Sequence, residues 1–332
     1  MKTKKIAVIG TGNMGTAMAQ VFAGNGHKVE MWSIEIPVLK EISSRHTNKK
    51  YLPGVKLHKN ISSKPSHVEC IKGADVVLLA VPSVVMPKVI KSIRPCLVPG
   101  IIIFSVSKGL DAKTLRSTAE QILHDLPKNF RNSFVKMTGP AVAREFARQS
   151  PTAVEVSSHS KASAQKIKKL LENKYFKVGV SSDLRGAAMC GSLKNVYAIL
   201  LGIADGLGWT LNTKSLIFTM AAHEMQVILK KVGANPATAV SLSGIGDLSV
   251  TGFNPKSRNV RYGRLLAKGK VRSPRELGMT QVAEGYFAIP LYAKLMRRKK
   301  IKAPLIFLMD DILKKKKAPK KGLTDFIENL SL

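Results

Sequence analysis

Acidic residues are scarce: 21 Asp and Glu stand against 54 Lys and Arg in 332 residues, a formal charge of +33. Cysteine is scarcer still, with only Cys70, Cys96 and Cys190, far apart and in no CxxC pair. That excludes a disulfide framework and a cysteine-ligated metal site, and it points to a reducing compartment. No apolar run approaches the ~20 residues of a membrane-spanning helix; the stretch 196–204 ends at Asp205. Lys2, Lys4 and Lys5 ahead of residues 6–9 look like the start of a signal peptide, but the run stops at Gly10 and no small-residue cleavage pattern follows. A cytoplasmic protein is expected. Aromatics are only 6% of the chain, and none interleave with the dense basic runs at 297–300, 314–317, Lys320 and Lys321. Without a zinc knuckle or helix-turn-helix beside them, no specific nucleic-acid partner is expected. These runs read as a solvated basic surface, with a weak, salt-sensitive contact to an anionic membrane surface as the alternative.

What is present suffices for a large core, since 45% of the residues are hydrophobic and the length suits two domains. Residues 5–9, 29–32, 75–81 and 100–106 are short β-branched or unbroken apolar runs, most of them ending at glycine or proline. Such runs suit strands covered on both faces. Helix-like segments separate them at 16–24, 85–93 and 113–123. The alternation predicts right-handed crossovers and an N-terminal, doubly wound, Rossmann-type parallel sheet over residues 1–182. From residue 183 the pattern turns helical, which predicts an all-helical substrate domain over 183–332 with a Lys-rich C-terminal segment.

Gly10-Thr11-Gly12-Asn13-Met14-Gly15 is a complete GxGxxG between the first strand and the first helix. The first glycine allows the tight turn, the second a close approach of a pyrophosphate, and the third close packing of helix on strand. Helix N-terminal amides would then face the phosphates. Glu35, twenty residues past Gly15, can accept from an adenosine ribose hydroxyl or simply open the next helix in solvent. The stretch 186–204 is apolar or small nearly all round, with Gly186, Gly191 and Gly202 permitting close approach, and its one charged residue is Lys194. A lysine buried there loses basicity and suits proton transfer; a lysine that snorkels out along its stem does not. Gly244-Ile245-Gly246-Asp247 suggests a tight turn presenting a carboxylate, and Ser257-Arg258-Asn259 suggests an anion clamp. Either is also compatible with an ordinary loop.

Together with YLPG at 51–54, AVPS at 80–83, SKG at 107–109, TGPAVA at 138–143, PTAV at 151–154, CGSLKNVYAI at 190–199, GIGDLSVT at 244–251, SRNVRYG at 257–263 and VAEG at 282–285, the chain resembles the NAD(P)-dependent glycerol-3-phosphate dehydrogenase family. The resemblance implies an oxidoreductase interconverting dihydroxyacetone phosphate and sn-glycerol 3-phosphate for glycerophospholipid synthesis, using NAD or NADP and no metal. It implies that Lys194 is the acid/base held by Asp247, and that Lys108, Gly139, Ala141, Ser257, Arg258 and Asn259 line the substrate site. Cofactor contacts are implied at Asn13, Met14, Ile34, Glu35, Lys108, Ala143, Arg258, Val282 and Glu284, and a homodimer is the expected assembly. Asn13-Met14 departs from the usual Ser-Trp of bacterial members, and Ala141 from a serine or asparagine. Ile34 stands where NADP-preferring members often carry arginine. Rival readings are another two-domain dehydrogenase, of ketopantoate reductase or β-hydroxyacid type, and a non-catalytic dinucleotide sensor. Neither rival dehydrogenase supplies GxGDL followed by SRN, and a sensor would have lost the charged residues.

Overall fold

The computed structural model describes residues 2–270, 273, 276 and 283–330. The chain divides into two compact units, Met1–Asp111 with Arg116–Ala188, and Ala112–Leu115 with Met189–Leu332.

In the first unit, the described residues form a sheet of eight strands: β1 (Lys5–Ile9), β2 (Lys28–Trp32), β3 (Ile61–Ser63), β4 (Val76–Leu79), β5 (Ile102–Ser105), β6 (Phe134–Thr138), β7 (Thr152–Ser157) and β8 (Phe176–Ser181). Their order is β3-β2-β1-β4-β5-β6-β7-β8. The chain therefore starts in the middle, winds outward to β3 and returns to β4 on the other side of β1. That reversal opens a crevice at the carboxyl ends of β1 and β4, where doubly wound sheets take ligands. Alternate residues serve opposite faces: Val8, Leu78 and Phe104 enter one core, while Ile9, Leu79 and Ile103 enter the other. Burial on both faces explains why these strands read as unbroken apolar runs.

Helices α1 (Asn13–Gly24), α2 (Ile36–Arg45), α3 (His67–Ile71), α4 (Met86–Ile93), α5 (Thr118–Asp125), α6 (Ala143–Phe146) and α7 (Lys161–Leu171) connect the strands. Two expectations need correction. The sheet is not wholly parallel, because β7 runs antiparallel to β6 with Ser157 opposite Lys136. The link between them carries only the four-residue α6, and an antiparallel neighbour needs no crossover helix. The helix expected at 113–123 begins instead at Thr118, after Leu115 in the left-handed region. Ser117 Oγ accepts from the Glu120 amide at 3.2 Å, and the Glu120 carboxylate accepts from the Ser117 amide at 2.9 Å. This capping box places the helix start against the apolar periodicity.

The second unit is helical: α8 (Leu184–Gly206, which begins in the first unit), α9 (Leu211–Lys231), α10 (Asp247–Gly252), α11 (Arg258–Ala267), α12 (Glu284–Arg298), α13 (Pro304–Leu313) and α14 (Pro319–Glu328). By length and composition α8, at 23 residues, could cross a membrane, contrary to the expectation that no run approaches that length. Its apolar window is wholly buried inside the protein. Glycine sets how near α11 comes: a Cβ on Gly202 would strike the Val260 backbone, and one on Gly263 the Ile199 carbonyl. Nothing larger fits.

Glu224 of α9 is buried at 4% exposure and caps α13, accepting from the Leu305 amide at 2.7 Å, the Ile306 amide at 3.2 Å and the Tyr197 hydroxyl at 3.0 Å. Burial pushes its carboxyl up from 4.5 to about 7, the three donors opposing it. Between those values the folded protein holds a proton that the unfolded chain has released. The associated stability is present below pH 4.5 and is lost as pH rises through about 7. The melting temperature of the native chain should thus fall between pH 5 and pH 8 by more than that of Glu224→Gln, the difference corresponding to on the order of 3 kcal/mol. Parallel melting curves for the two proteins would contradict this.

Candidate active site

The glycine-rich turn has three glycines with three different surroundings. Gly10 has a φ of +111°, and a Cβ on it would lie 2.6 Å from the Ala80 carbonyl oxygen. A Cβ on Gly15 would strike the Gly10 carbonyl. A Cβ on Gly12 would meet nothing within 4 Å. The first and third glycines close β1, β4 and α1 on one another, while the second faces open space at the amino end of α1. The first turn of α1 holds no acidic residue, so its amides and dipole favour an anion there. The open cradle at Gly12 fits a dinucleotide pyrophosphate. Asn48, fully buried, fixes the turn: its Nδ2 donates to the Thr11 carbonyl and the Thr16 hydroxyl, each at 2.9 Å. No residue pattern marks it, because the polar segment around Asn48 carries no periodicity.

At the carboxyl end of β2, Ile34 is 85% exposed. Glu35 is the N-cap residue of α2 and is partly exposed, and its carboxylate accepts from the Tyr51 hydroxyl at 2.5 Å and pairs with Lys50. Lys50 and then Tyr51 hold the Glu35 carboxyl below its usual range, and Glu35 pushes the Tyr51 phenol up. YLPG marks the segment of Tyr51 in the sequence without revealing that Lys50 and Tyr51 meet Glu35. Asn13 and Met14 open α1, and Met14 packs against the core. Lys108 follows β5 beside Gly109, whose φ of +138° brings it to within contact of Ser83. Gly139, at φ +120°, lies against the β7 backbone; Ala141 packs on the core, and buried Ala143 opens α6.

In the second unit Lys194 is buried in α8, and its Nζ donates to Asp247 Oδ1 at 2.5 Å and to Thr251 Oγ1 at 2.6 Å. The snorkelling alternative is thereby overturned. Thr251 donates its own proton to the Asp247 carbonyl at 2.8 Å, so its oxygen is an acceptor toward Lys194. Asp247, 1% exposed, does not sit on a tight turn as expected. A π-helical turn, Leu242–Gly246, feeds directly into α10, whose first residue is Asp247 and whose second turn supplies Thr251. Such turns occur disproportionately at functional sites. A Cβ on Gly244 would strike Ala239, so the turn depends on glycine.

Ser257, Arg258 and Asn259 form the start of α11, with Ser257 at its N-cap and Arg258 exposed at its first position. The amino end of that helix and the guanidinium suit an anion. Asn259 is buried and serves the scaffold as well: its Oδ1 accepts from the Gly285 amide at 3.1 Å, and its Nδ2 donates to Asn195 Oδ1 at 2.9 Å. Asn195 in turn donates to Glu284 at 3.2 Å. Val282 lies outside the described residues. Among the described residues no cluster of three or more His, Cys, Asp or Glu could hold a metal.

The glycine turn on a doubly wound sheet, followed by a helical unit with a buried lysine–aspartate pair, defines a two-unit dinucleotide-type α/β protein. Residues 5–164 match the model of the NAD-dependent glycerol-3-phosphate dehydrogenase N-terminus and residues 183–324 that of its C-terminus. A glycerol-3-phosphate dehydrogenase [NAD(P)+] of Bacillus velezensis is 35% identical over 93% of this chain and 90% of its own. The crystal structure of glycerol-3-phosphate dehydrogenase from Coxiella burnetii superposes with a TM-score of 0.90 at 30% identity, covering 98% of this chain and 99% of that one. The Saccharomyces cerevisiae enzyme gives 0.86 at 26% identity, over 99% and 100%. The chain belongs to the NAD-dependent glycerol-3-phosphate dehydrogenase family.

The glycine geometry separates two substitutions of equal size. Gly12→Ala should melt within a degree or two of the native protein, since its φ of −64° and open surroundings accept a methyl group. Gly15→Ala should melt several degrees lower or fail to fold. Thermal unfolding of the pair checks this, and equal losses would refute it.

Proposed function

We propose that this chain interconverts dihydroxyacetone phosphate and sn-glycerol 3-phosphate for glycerophospholipid synthesis, as a cytoplasmic homodimer using NAD or NADP and no metal. We assign dinucleotide binding to residues 1–182 and substrate chemistry to 183–332. The observation that carries the proposal is the Lys194 ammonium buried against Asp247 and Thr251, on a chain whose two halves match the family.

The dinucleotide is held by the Gly12 cradle with Asn13 and Met14, by Glu35 at the ribose, and by Lys108, Ala143, Arg258, Val282 and Glu284. When bound, the nicotinamide supplies or accepts the hydride at C2 of the substrate. Lys194 donates a proton to the C2 oxygen during reduction and takes it back during oxidation. Asp247 and Thr251 hold Nζ in one direction and so spare its reorganisation in the transition state. Arg258, Ser257 and the first amides of α11 bind the substrate phosphate, and remote binding energy thus becomes alignment at C2; the family resemblance also assigns Lys108, Gly139 and Ala141 to the substrate. Asn259 contributes chiefly by orienting Asn195 and Glu284.

Burial of the pair decides which variants are informative. Lys194→Met alone leaves Asp247 buried without its cation and should cost about 3 to 5 kcal/mol of stability. The double variant Lys194→Met, Asp247→Leu should recover most of that loss. Both should lose at least 100-fold in turnover, the lower bound for a proton-transfer group. The assay is cofactor oxidation on adding dihydroxyacetone phosphate, beside melting curves; near-normal turnover in the stable double variant would end the catalytic assignment.

Cofactor choice turns on Lys50 as well as Ile34. Glu35 repels a 2′-phosphate, yet Lys50 at the same carboxylate supplies a cation that Ile34 lacks. NADH and NADPH should therefore give kcat/KM values within a hundredfold of each other. Lys50→Ala should reduce NADPH use by about tenfold, the scale of one partly exposed charge contact, and leave NADH use nearly unchanged. Equal effects on both cofactors would remove Lys50 from the discrimination.

A further inference from the structure

Lysine is densest at and between the ends of the last three helices. From 297 to 321 the chain carries eleven cations, nine of them lysine, against the two carboxylates Asp310 and Asp311. All eleven are exposed. In sequence they fall into two groups separated by α13. The fold joins them, because Asp310, 1% exposed, receives Arg297 Nη2 of α12 at 2.7 Å and Lys314 Nζ at 2.8 Å on the same oxygen. One buried carboxylate therefore seats the start of the first basic group beside the start of the second. Across α12, α13 and α14 the other carboxylates are Glu284, Asp311, Asp325 and Glu328, outnumbered by the exposed cations.

The backbone bears on the purpose of this density. Lys300 and Lys315, each just past a helix end, have φ values of 52° and 58°. Glycine is the ordinary residue at such a left-handed position, and a side chain there is strained. At both helix ends the sequence keeps a lysine instead.

We propose that α12, α13 and α14 form an electrostatic docking surface for an anionic lipid bilayer. Its composition favours a membrane over a nucleic acid. Lysine ammoniums are point charges that respond to a diffuse anionic field, whereas base and phosphate readout relies on planar arginine forks and stacking aromatics. The one aromatic between 297 and 321, Phe307, lies 5.1 Å under the Arg297 guanidinium and offers no stacking platform. Among the described residues from 297 to 321 no large hydrophobic side chain is exposed, and Phe287, 44% exposed, lies at the opposite end of α12 from the basic group, so the contact is peripheral and salt-reversible rather than inserted. The surface is independent of the dehydrogenase assignment.

The test is co-sedimentation of the full-length protein with vesicles of phosphatidylcholine alone and of phosphatidylcholine containing about a third phosphatidylglycerol. The native protein should partition to the anionic vesicles only, and release as salt is raised. The variant Lys316→Gln, Lys317→Gln, Lys320→Gln, Lys321→Gln should bind up to about a thousandfold less tightly, with an unchanged melting temperature and unchanged turnover of dissolved substrate. Because the whole chain is basic, a control removes the same charge elsewhere: Lys161→Gln, Lys166→Gln, Lys169→Gln, Lys174→Gln, all exposed on the first unit. It should bind nearly as the native chain does. Three results would overturn the proposal: no partition to anionic vesicles, equal losses in the two variants, or tighter binding of a generic DNA duplex than of the vesicles at the same salt.

Discussion

An ammonium group can be kept inside an apolar helix only if a carboxylate is buried with it, and the candidate substrate site of the second unit is arranged around that condition at Lys194. Asp247 must reach α8, which the π-helical turn at Leu242–Gly246 achieves by delivering it as the first residue of α10. Thr251 follows one turn later on the same face and completes the shell. Removing either ion leaves the other without compensation, so the pair is poor material for neutral drift even apart from chemistry. The glycines at 202 and 263 serve the same assembly, since they let α11 lie against α8 and bring Arg258 and Asn259 with it.

Much of this was legible in the residues. Unbroken apolar runs gave the central strands because those strands are covered on both faces, and the glycine spacing at 10, 12 and 15 located the turn. Lys194 stood out because a single charge in an apolar helix is conspicuous. The failures have physical reasons. The direction of β7 is a property of pairing with β6, which local pattern does not encode. The helix start at Ser117 was signalled by serine and glutamate three apart, and apolar periodicity outweighed that signal. Asn48, Lys50 and Tyr51 act on residues 15 to 37 positions away, and only the folded backbone brings them there.

Helix α8 shows the limit of composition as a guide to environment. Its residues would satisfy a bilayer as readily as a protein core, for both demand apolar surface all round. Glycine contacts with α11 and the buried ion pair decide the matter, because each requires a specific protein neighbour and not merely a dry medium.

The side-chain amides joining α8, α11 and α12 have a further property. The Gly285 amide can only donate and the Glu284 carboxylate can only accept, so the two asparagines between them are forced into one orientation each. The relay has a polarity, and neither amide can flip without breaking both of its links. Deamidation at Asn195 would set one carboxylate facing another across 3.2 Å, turning a slow chemical ageing reaction into a local repulsion where three helices meet.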